Sequence, residues 1–344
     1  MNATKVKETV IKTLCTLVFP VGAFIIMEVI VLIATGGKQH LFNLTNNLSI
    51  INFLRSVCIS CCTALALSFN LSSGRFDLSL GAQRLLGTIV GGLIAINLGL
   101  GPVGIVICAG LFGLLAGFIV GFIFVTTRIP PMVLGVGMTM IYECLAFVIS
   151  GGQGLNLNIP GLEMLSDGVL FMGAVVMLLV LFIMILFTQT KFGYDMRSIR
   201  GSQQIAYNSG VKIFKNVALC YTLAGGAVAF GGVFEAAYTM KMEAKTGMSS
   251  NSAVMANCFP MFLGNFIARW SNQAVGIVVA TFTLQFVNTG LSILNLSPSL
   301  TQSINMGLFL TFLIIVANQN VFKVRKAKKD RIVKANQELA AAAI

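Results

Sequence analysis

Ten stretches of this chain are apolar for about 20 residues each, the length a helix needs to cross the hydrocarbon core of a bilayer. They cover residues 11–35, 50–71, 82–99, 104–127, 132–150, 169–189, 216–238, 250–268, 273–292 and 300–321. Lipid offers backbone groups no water to bond, so each run must satisfy its own N–H and C=O groups as a helix. The expected fold is therefore all-α and integral to a membrane, with about ten transmembrane helices. Little chain remains between the runs from which a water-soluble domain could be made. Composition agrees: 10% of residues are charged, against about 25% in soluble domains, whose surfaces have to be covered by something polar.

Local signals bound several runs. Pro130 and Pro131 fit a helix start, where a missing N–H costs nothing. Gly151 and Gly152 fit a helix stop, and Asn295, Ser297 and Pro298 mark a short turn. No small-residue cleavage pattern follows the first run, so it reads as a span and not as a leader.

Charge tests the count. With the N-terminus inside, ten spans put both termini on the cytoplasmic side. The inside segments then carry Lys5, Lys7, Lys12, Arg75, Arg128, Lys191, Arg197, Arg200, Lys212, Lys215, Arg269 and the seven Lys/Arg between Lys323 and Lys334, eighteen cations in all. The outside loops carry three: Lys38, Lys241 and Lys245. This asymmetry is the positive-inside pattern, and it explains the net charge of +12 without nucleic acid as a partner. The basic tail, 322–344, reads as a separate cytoplasmic segment that anchors by charge at the inner leaflet, after a membrane domain over 1–321.

Several chemistries are excluded. No Gly-rich phosphate loop ending in Lys-Ser/Thr is present, so ATP is not bound by that route. His40 is the only histidine, which removes His-based metal sites and Ser-His-Asp catalysis. The eight cysteines lie inside apolar stretches. Cys58, Cys61 and Cys62 have neither a second pair nor histidines beside them, and read as buried small hydrophobes.

Packing signals are dense but say little about function. Gly113, Gly117 and Gly121 repeat every four residues and Gly87 pairs with Gly91, spacings that let helices approach closely. Val103-Gly104-Ile105-Val106 is echoed by Val275-Gly276-Ile277-Val278 in a span of opposite direction, as in inverted repeats. The runs 82–99 and 250–268 are the poorest spans. The first is short and carries Arg84; the second contains Asn251, Asn257, Pro260 and Asn265. Such an interrupted helix either contacts a solute or is buried with its polar groups satisfied by neighbouring helices.

Charges inside spans need a partner or a cavity. Glu28 and Glu143 lie within spans, with Arg55, Arg84 and Glu235 nearer span ends. The two carboxyls are either the titrating groups of an ion-coupled transporter or fixed partners in packing. The polar loop 190–215 is long for this chain. Ser202 can cap a helix of about two turns there and Gly210 can end it. A helix that short is unstable in water, so it needs a surface to lie against, either its own chain or a cytoplasmic partner.

Three segments carry a resemblance. Ser73-Gly74-Arg75-Phe76-Asp77-Leu78-Ser79-Leu80-Gly81, then Arg128-Ile129-Pro130-Pro131-Met132-Val133 with Gly135 and Met138, then Phe192-Gly193 through Gly210-Val211 are similar to segments of the membrane-spanning permease subunits of ribose- and other monosaccharide-type ABC importers. That superfamily also includes relatives for nucleosides, autoinducer-2 and branched-chain amino acids. The likeness runs from about residue 45 to 320, and Gly201, Ala206, Ser209 and Gly210 fall on matching positions of the third segment. Two stretches depart. Gln203 stands where the family has an acidic residue, and 263–272 replaces a Gly-rich stretch.

The resemblance implies a type II ABC importer-like permease of two pseudo-symmetric inverted halves in a bacterial inner membrane. It implies alternating access driven by partner ATPase subunits, which carry the ATP and Mg, so that this chain binds no cofactor and is no enzyme. A second permease subunit and an extracytoplasmic solute-binding protein complete the machine, and the solute is a small polar one, a monosaccharide before a nucleoside or autoinducer-2. Coupling to the ATPase falls on Gly201, Ser202, Gln203, Gln204, Ala206, Tyr207, Ser209 and Gly210. Candidates for the translocation path are Arg75, Asp77, Glu143, Asn257 and Asn265.

Overall fold

A computed structural model describes residues 3–42, 47–127, 129–159, 162, 165 and 168–342. Arg128, counted above among the inside cations, lies outside the described residues. Two compact units separate, Met1–Asn295 and Leu296–Ile344.

The first unit holds α1 (Ala3–Thr35), α2 (Asn47–Ser72), α3 (Leu80–Asn97), α4 (Gly101–Thr127), α5 (Pro131–Ile149), β1 (Leu155–Asn156) and α6 (Val169–Gln189). There follow α7 (Lys191–Gly201), α8 (Gln203–Asn208), α9 (Ile213–Thr239), β2 (Lys241–Met242), α10 (Asn251–Ala256), α11 (Cys258–Ile267) and α12 (Gln273–Ile293). Among the described residues nine helices are long and apolar enough to cross a membrane: α1 to α6, α9 and α12 in this unit, and α13 (Pro298–Ala342) in the second. Pro131 opens α5, and Gly151 (φ +59°) and Gly152 (φ +78°) follow its end.

α9 is the hub, packed on α4, α2 and α3. The glycine stripe explains how α4 approaches it. A Cβ at Gly117 would run into the backbone carbonyl of Tyr221, and one at Gly113 into that of Gly225. The two backbones therefore touch, which in lipid replaces the hydrophobic drive that water would supply. Buried Arg84 of α3 forms an ion pair with the partly exposed Glu235 of α9 at the edge of this core.

The run 250–268 is not one spanning helix. β1 and β2 pair antiparallel just beyond the C-terminal ends of α5 and α9. The chain then runs inward without regular structure to Ser250, packed on Gly81 in the first turn of α3, and finishes as the short helices α10 and α11. Asn257 lies at the break with its side-chain amide donating to the Ala253 carbonyl (2.8 Å). Pro260, three residues on, has no N–H with which to continue a helical ladder. After α11, Gln273 Nε2 donates to Ser72 Oγ at the far end of α2 (2.9 Å). The segment thus completes a passage from one end of the bundle to the other, irregular at first and then helical.

In the second unit α13 has 45 residues, about 68 Å at the helical rise. Only Pro298–Gln319 is apolar enough to span, and the basic stretch continues the same helix.

Candidate functional site

The residues singled out from the sequence are spread over several elements. Asp77 and Arg75 lie in the turn between α2 and α3. Asp77 is buried and accepts from Ser79 N–H (2.8 Å), Ser79 Oγ (2.6 Å), Asn70 Nδ2 (3.2 Å) and Gln83 Nε2 (3.2 Å). Burial pushes its carboxyl above the ordinary range, against the pull of the hydrogen bonds from Ser79 and Gln83. This carboxyl ties the end of α2 to the start of α3. Arg75 points the other way: its guanidinium donates to Gln203 Oε1 (3.3 Å) and sits over the Phe124 ring, 5.4 Å from its centroid.

Glu143 is fully buried in α5. It accepts from Met248 N–H (2.7 Å), Ser250 N–H (2.9 Å) and Ser250 Oγ. Met248 holds a left-handed backbone (φ +65°) that a side chain disfavours, so Glu143 fixes the strained approach to α10. Asn257 sits at the helix break, and Asn265 donates to Met261 Sδ (3.4 Å). Among the described residues the five candidates for the path lie apart, at the α2–α3 turn, within α5, at the α10–α11 break and within α11. Glu28, weighed beside Glu143 for ion coupling, is also engaged locally, to His40 Nδ1 (2.8 Å) and Leu41 N–H (2.9 Å).

The coupling candidates do form one element. α7 and α8 make a bent pair. Ser202 Oγ accepts from Ile205 N–H (3.4 Å), and Gly210 ends α8 at φ +80°. Ala206 is the buried contact, set with Met196, Ile199, Ile213 and Val217 against the start of α9. Gln203, Gln204, Tyr207, Ser209 and Gly210 face outward. Ile205 was not among the candidates. It is 69% exposed, and Tyr207 66%. An exposed isoleucine and tyrosine on a two-turn helix are side chains that partner interfaces bury. Gln203, which stands where the family has an acidic residue, accepts here from the chain's own Arg75.

A second site was missed altogether. A cavity of about 400 Å³ opens between the start of α2, the end of α9 and the end of α12. Ser49, Asn52 and Ser56 line it from α2, Tyr238 from α9, and Gln285, Asn288, Thr289 and Ser292 from α12. Gln285 Nε2 donates to the Ser56 carbonyl (3.1 Å) and to Ser60 Oγ (3.1 Å), and Asn288 Nδ2 donates to Gln285 Oε1 (3.4 Å). Among the described residues no Asp, Glu, Lys or Arg lines it. Hydroxyls and amides around an aromatic ring can bind an uncharged solute rich in hydrogen-bonding groups. The available signal was spacing: positions 49, 52, 56 and 60 on α2, and 285, 288, 289 and 292 on α12, each fall on one helical face.

The cavity and α8 lie at opposite ends of the same helices. Tyr238 is one residue from the C-terminal end of α9, and Ala206 packs against its beginning.

Comparisons with known proteins extend the picture. The sequence model of one family, described as a branched-chain amino acid transport system permease component, matches residues 49–317. The ribose import permease protein of Bacillus subtilis is 26% identical over 259 residues, 73% of this chain and 79% of the relative. The galactose/methyl galactoside import permease protein of Escherichia coli is 23% identical over 207 residues, 56% of this chain and 60% of the relative. An autoinducer 2 import system permease protein of Yersinia pseudotuberculosis is 26% identical over 224 residues, 64% and 63% of the two chains. This chain thus spans less than two thirds of the last two.

Proposed function

The chain belongs to the family of permease components described for branched-chain amino acid transport systems, and from that premise we propose that it is the permease subunit of an ABC importer for a monosaccharide. The observation that carries the reading is the placement of an uncharged polar cavity and an exposed docking helix at opposite ends of α9. Relatives named for ribose and for galactose import favour a sugar over the superfamily's other solutes.

In this reading α8 lies at the cytoplasmic surface, both termini are inside, and the membrane is a bacterial inner membrane. Residues 1–321 form the membrane domain and 322–344 the basic tail. A cytoplasmic ATPase, holding ATP and Mg, covers Ile205 and Tyr207. A second permease subunit completes the path, and an extracytoplasmic binding protein delivers solute to the mouth lined by Asn52 and Asn288. ATP shifts the bundle only by making better contacts in one of its two orientations. α8 is where those contacts form, and α9, about 40 Å long at the helical rise, is a stiff connection from there to Tyr238. Glu143 and Asp77 hold the scaffold between the two ends.

The test is reconstitution in vesicles with the ATPase and the binding protein. Radiolabelled ribose or galactose accumulates only with ATP, and accumulation needs all three components. Uptake by this chain alone, driven by a proton or sodium gradient, would refute the proposal.

A further inference from the structure

At the α8 end of the bundle a second cavity, of about 240 Å³, is lined by Ser72, Thr188, Arg197, Arg200, Asn272 and Gln273, among others. Ser72 is the last residue of α2, Thr188 the last but one of α6, and Gln273 the first of α12. The cavity therefore lies where three spans emerge together, the depth at which phospholipid headgroups sit.

Its charge is one-sided. Among the described residues two arginines line it and no carboxyl does. Arg197 is fixed in place, donating to the Phe187 carbonyl (2.6 Å) and from Nε to the Gly193 carbonyl (3.3 Å). Arg200 makes no hydrogen bond or ion pair among the described residues. The start of α12 adds to the field: Asn272 and Gln273 line the cavity, no side-chain bond caps the helix there, and the positive end of its dipole is therefore brought to the same space. Ser72 Oγ and the Gln273 amide stand beside them, already bonded to each other. Phe187 and Met196 supply an apolar wall for the glycerol and upper acyl carbons of a lipid.

We propose that this cavity binds a phosphate-bearing anion, with Arg200 as its principal contact and Arg197 and the N-terminus of α12 as supports. Guanidinium pairs phosphate oxygens in two parallel bonds, and basic pockets between spans hold anionic headgroups. The site rests on the membrane placement of α2, α6 and α12 and is independent of which solute is carried.

The experiment uses the full chain in nanodiscs with and without phosphatidylglycerol, with retained lipid counted by native mass spectrometry. Wild type retains phosphatidylglycerol over phosphatidylcholine; Arg200→Gln weakens retention about fivefold, and Arg200→Lys retains more than Arg200→Gln. Millimolar inorganic phosphate added to wild type separates the sources: displacement of the lipid assigns the site to soluble phosphate, and no displacement assigns it to the headgroup. Equal retention of both lipids, or of phosphatidylglycerol by wild type and Arg200→Gln, overturns the proposal. So does equal retention together with cross-linking of Arg200→Cys to the ATPase subunit, which would assign the arginine to a protein partner.

Discussion

Two polar regions interrupt the apolar bundle, and they differ in closure. In the first, Asp77 accepts four hydrogen bonds and Glu143 three, with both side chains buried. In the second, Ser49, Asn52, Asn288 and Ser292 surround an open cavity. Formal charge would rank the first region as the site of function, because a carboxyl in a span is costly and often serves transport. The partners reverse that ranking. A carboxyl bonded on every side by its own chain holds that chain together, whereas at the cavity Ser49 and Asn52 make no hydrogen bond among the described residues and are open to a solute. Satisfaction, more than charge, separates scaffold from site.

The comparison breaks most directly at Glu143. Glu143→Ala leaves the Ser250 N–H and hydroxyl buried without an acceptor and the part-buried Met248 N–H unbonded, a loss of about 3 kcal/mol. The apparent melting temperature of the purified protein falls steeply, and Glu143→Gln, which keeps one carbonyl oxygen, falls less. An alanine variant as stable as wild type but inactive in transport would move Glu143 from scaffold to path.

At the other end of α9, replacing Ile205 and Tyr207 together by Asp leaves folding intact, since both side chains are exposed. It lowers ATPase binding and transport-coupled hydrolysis about thirtyfold, some 2 kcal/mol, the size of an interface hot spot. Unchanged hydrolysis with bound ATPase would place the docking surface elsewhere.

These two expectations differ in how far the sequence could carry them. Spans, caps and the α8 turn are local, written in hydropathy runs, in Ser202 and in Gly210, and could be read directly. The break in 250–268 was signalled by its asparagines and Pro260, but the irregular approach before it was not, since it depends on Glu143, 105 residues from Met248. The cavity is further from reach. Its α2 and α12 faces lie 225 residues apart at Ser60 and Gln285, and a serine or asparagine within a span is also how helices bond one another. Only the folded pairing of two polar stripes distinguishes a lining from a contact.

The cavity side of the comparison sharpens with Asn288→Ala. The side chain is half-buried at the lining and contributes about one hydrogen bond to a solute, so the concentration for half-maximal sugar uptake rises about fivefold to tenfold. Maximal ATP hydrolysis stays near wild type, and the melting temperature falls only by the small cost of losing the bond to Gln285 Oε1. A fall in stability without a shift in apparent affinity would make the α12 stripe structural, like Asp77.

The smallest effect is expected at the tail. α13 is far longer than a bilayer is thick, so its basic half must leave the hydrocarbon, where seven Lys/Arg between Lys323 and Lys334 meet anionic lipid or water. Neither the cavity nor α8 includes any residue beyond 295. A chain ending at Phe322 therefore inserts and transports within about twofold of wild type, because each cation contributes only about 1 kcal/mol of surface attraction and the spans hold the protein in place regardless. Its salt dependence should carry the signature: raising ionic strength screens the tail, so full-length and truncated chains converge. A truncated chain that inserts but fails to couple would show instead that the tail reaches the ATPase, and that the docking surface is larger than α8.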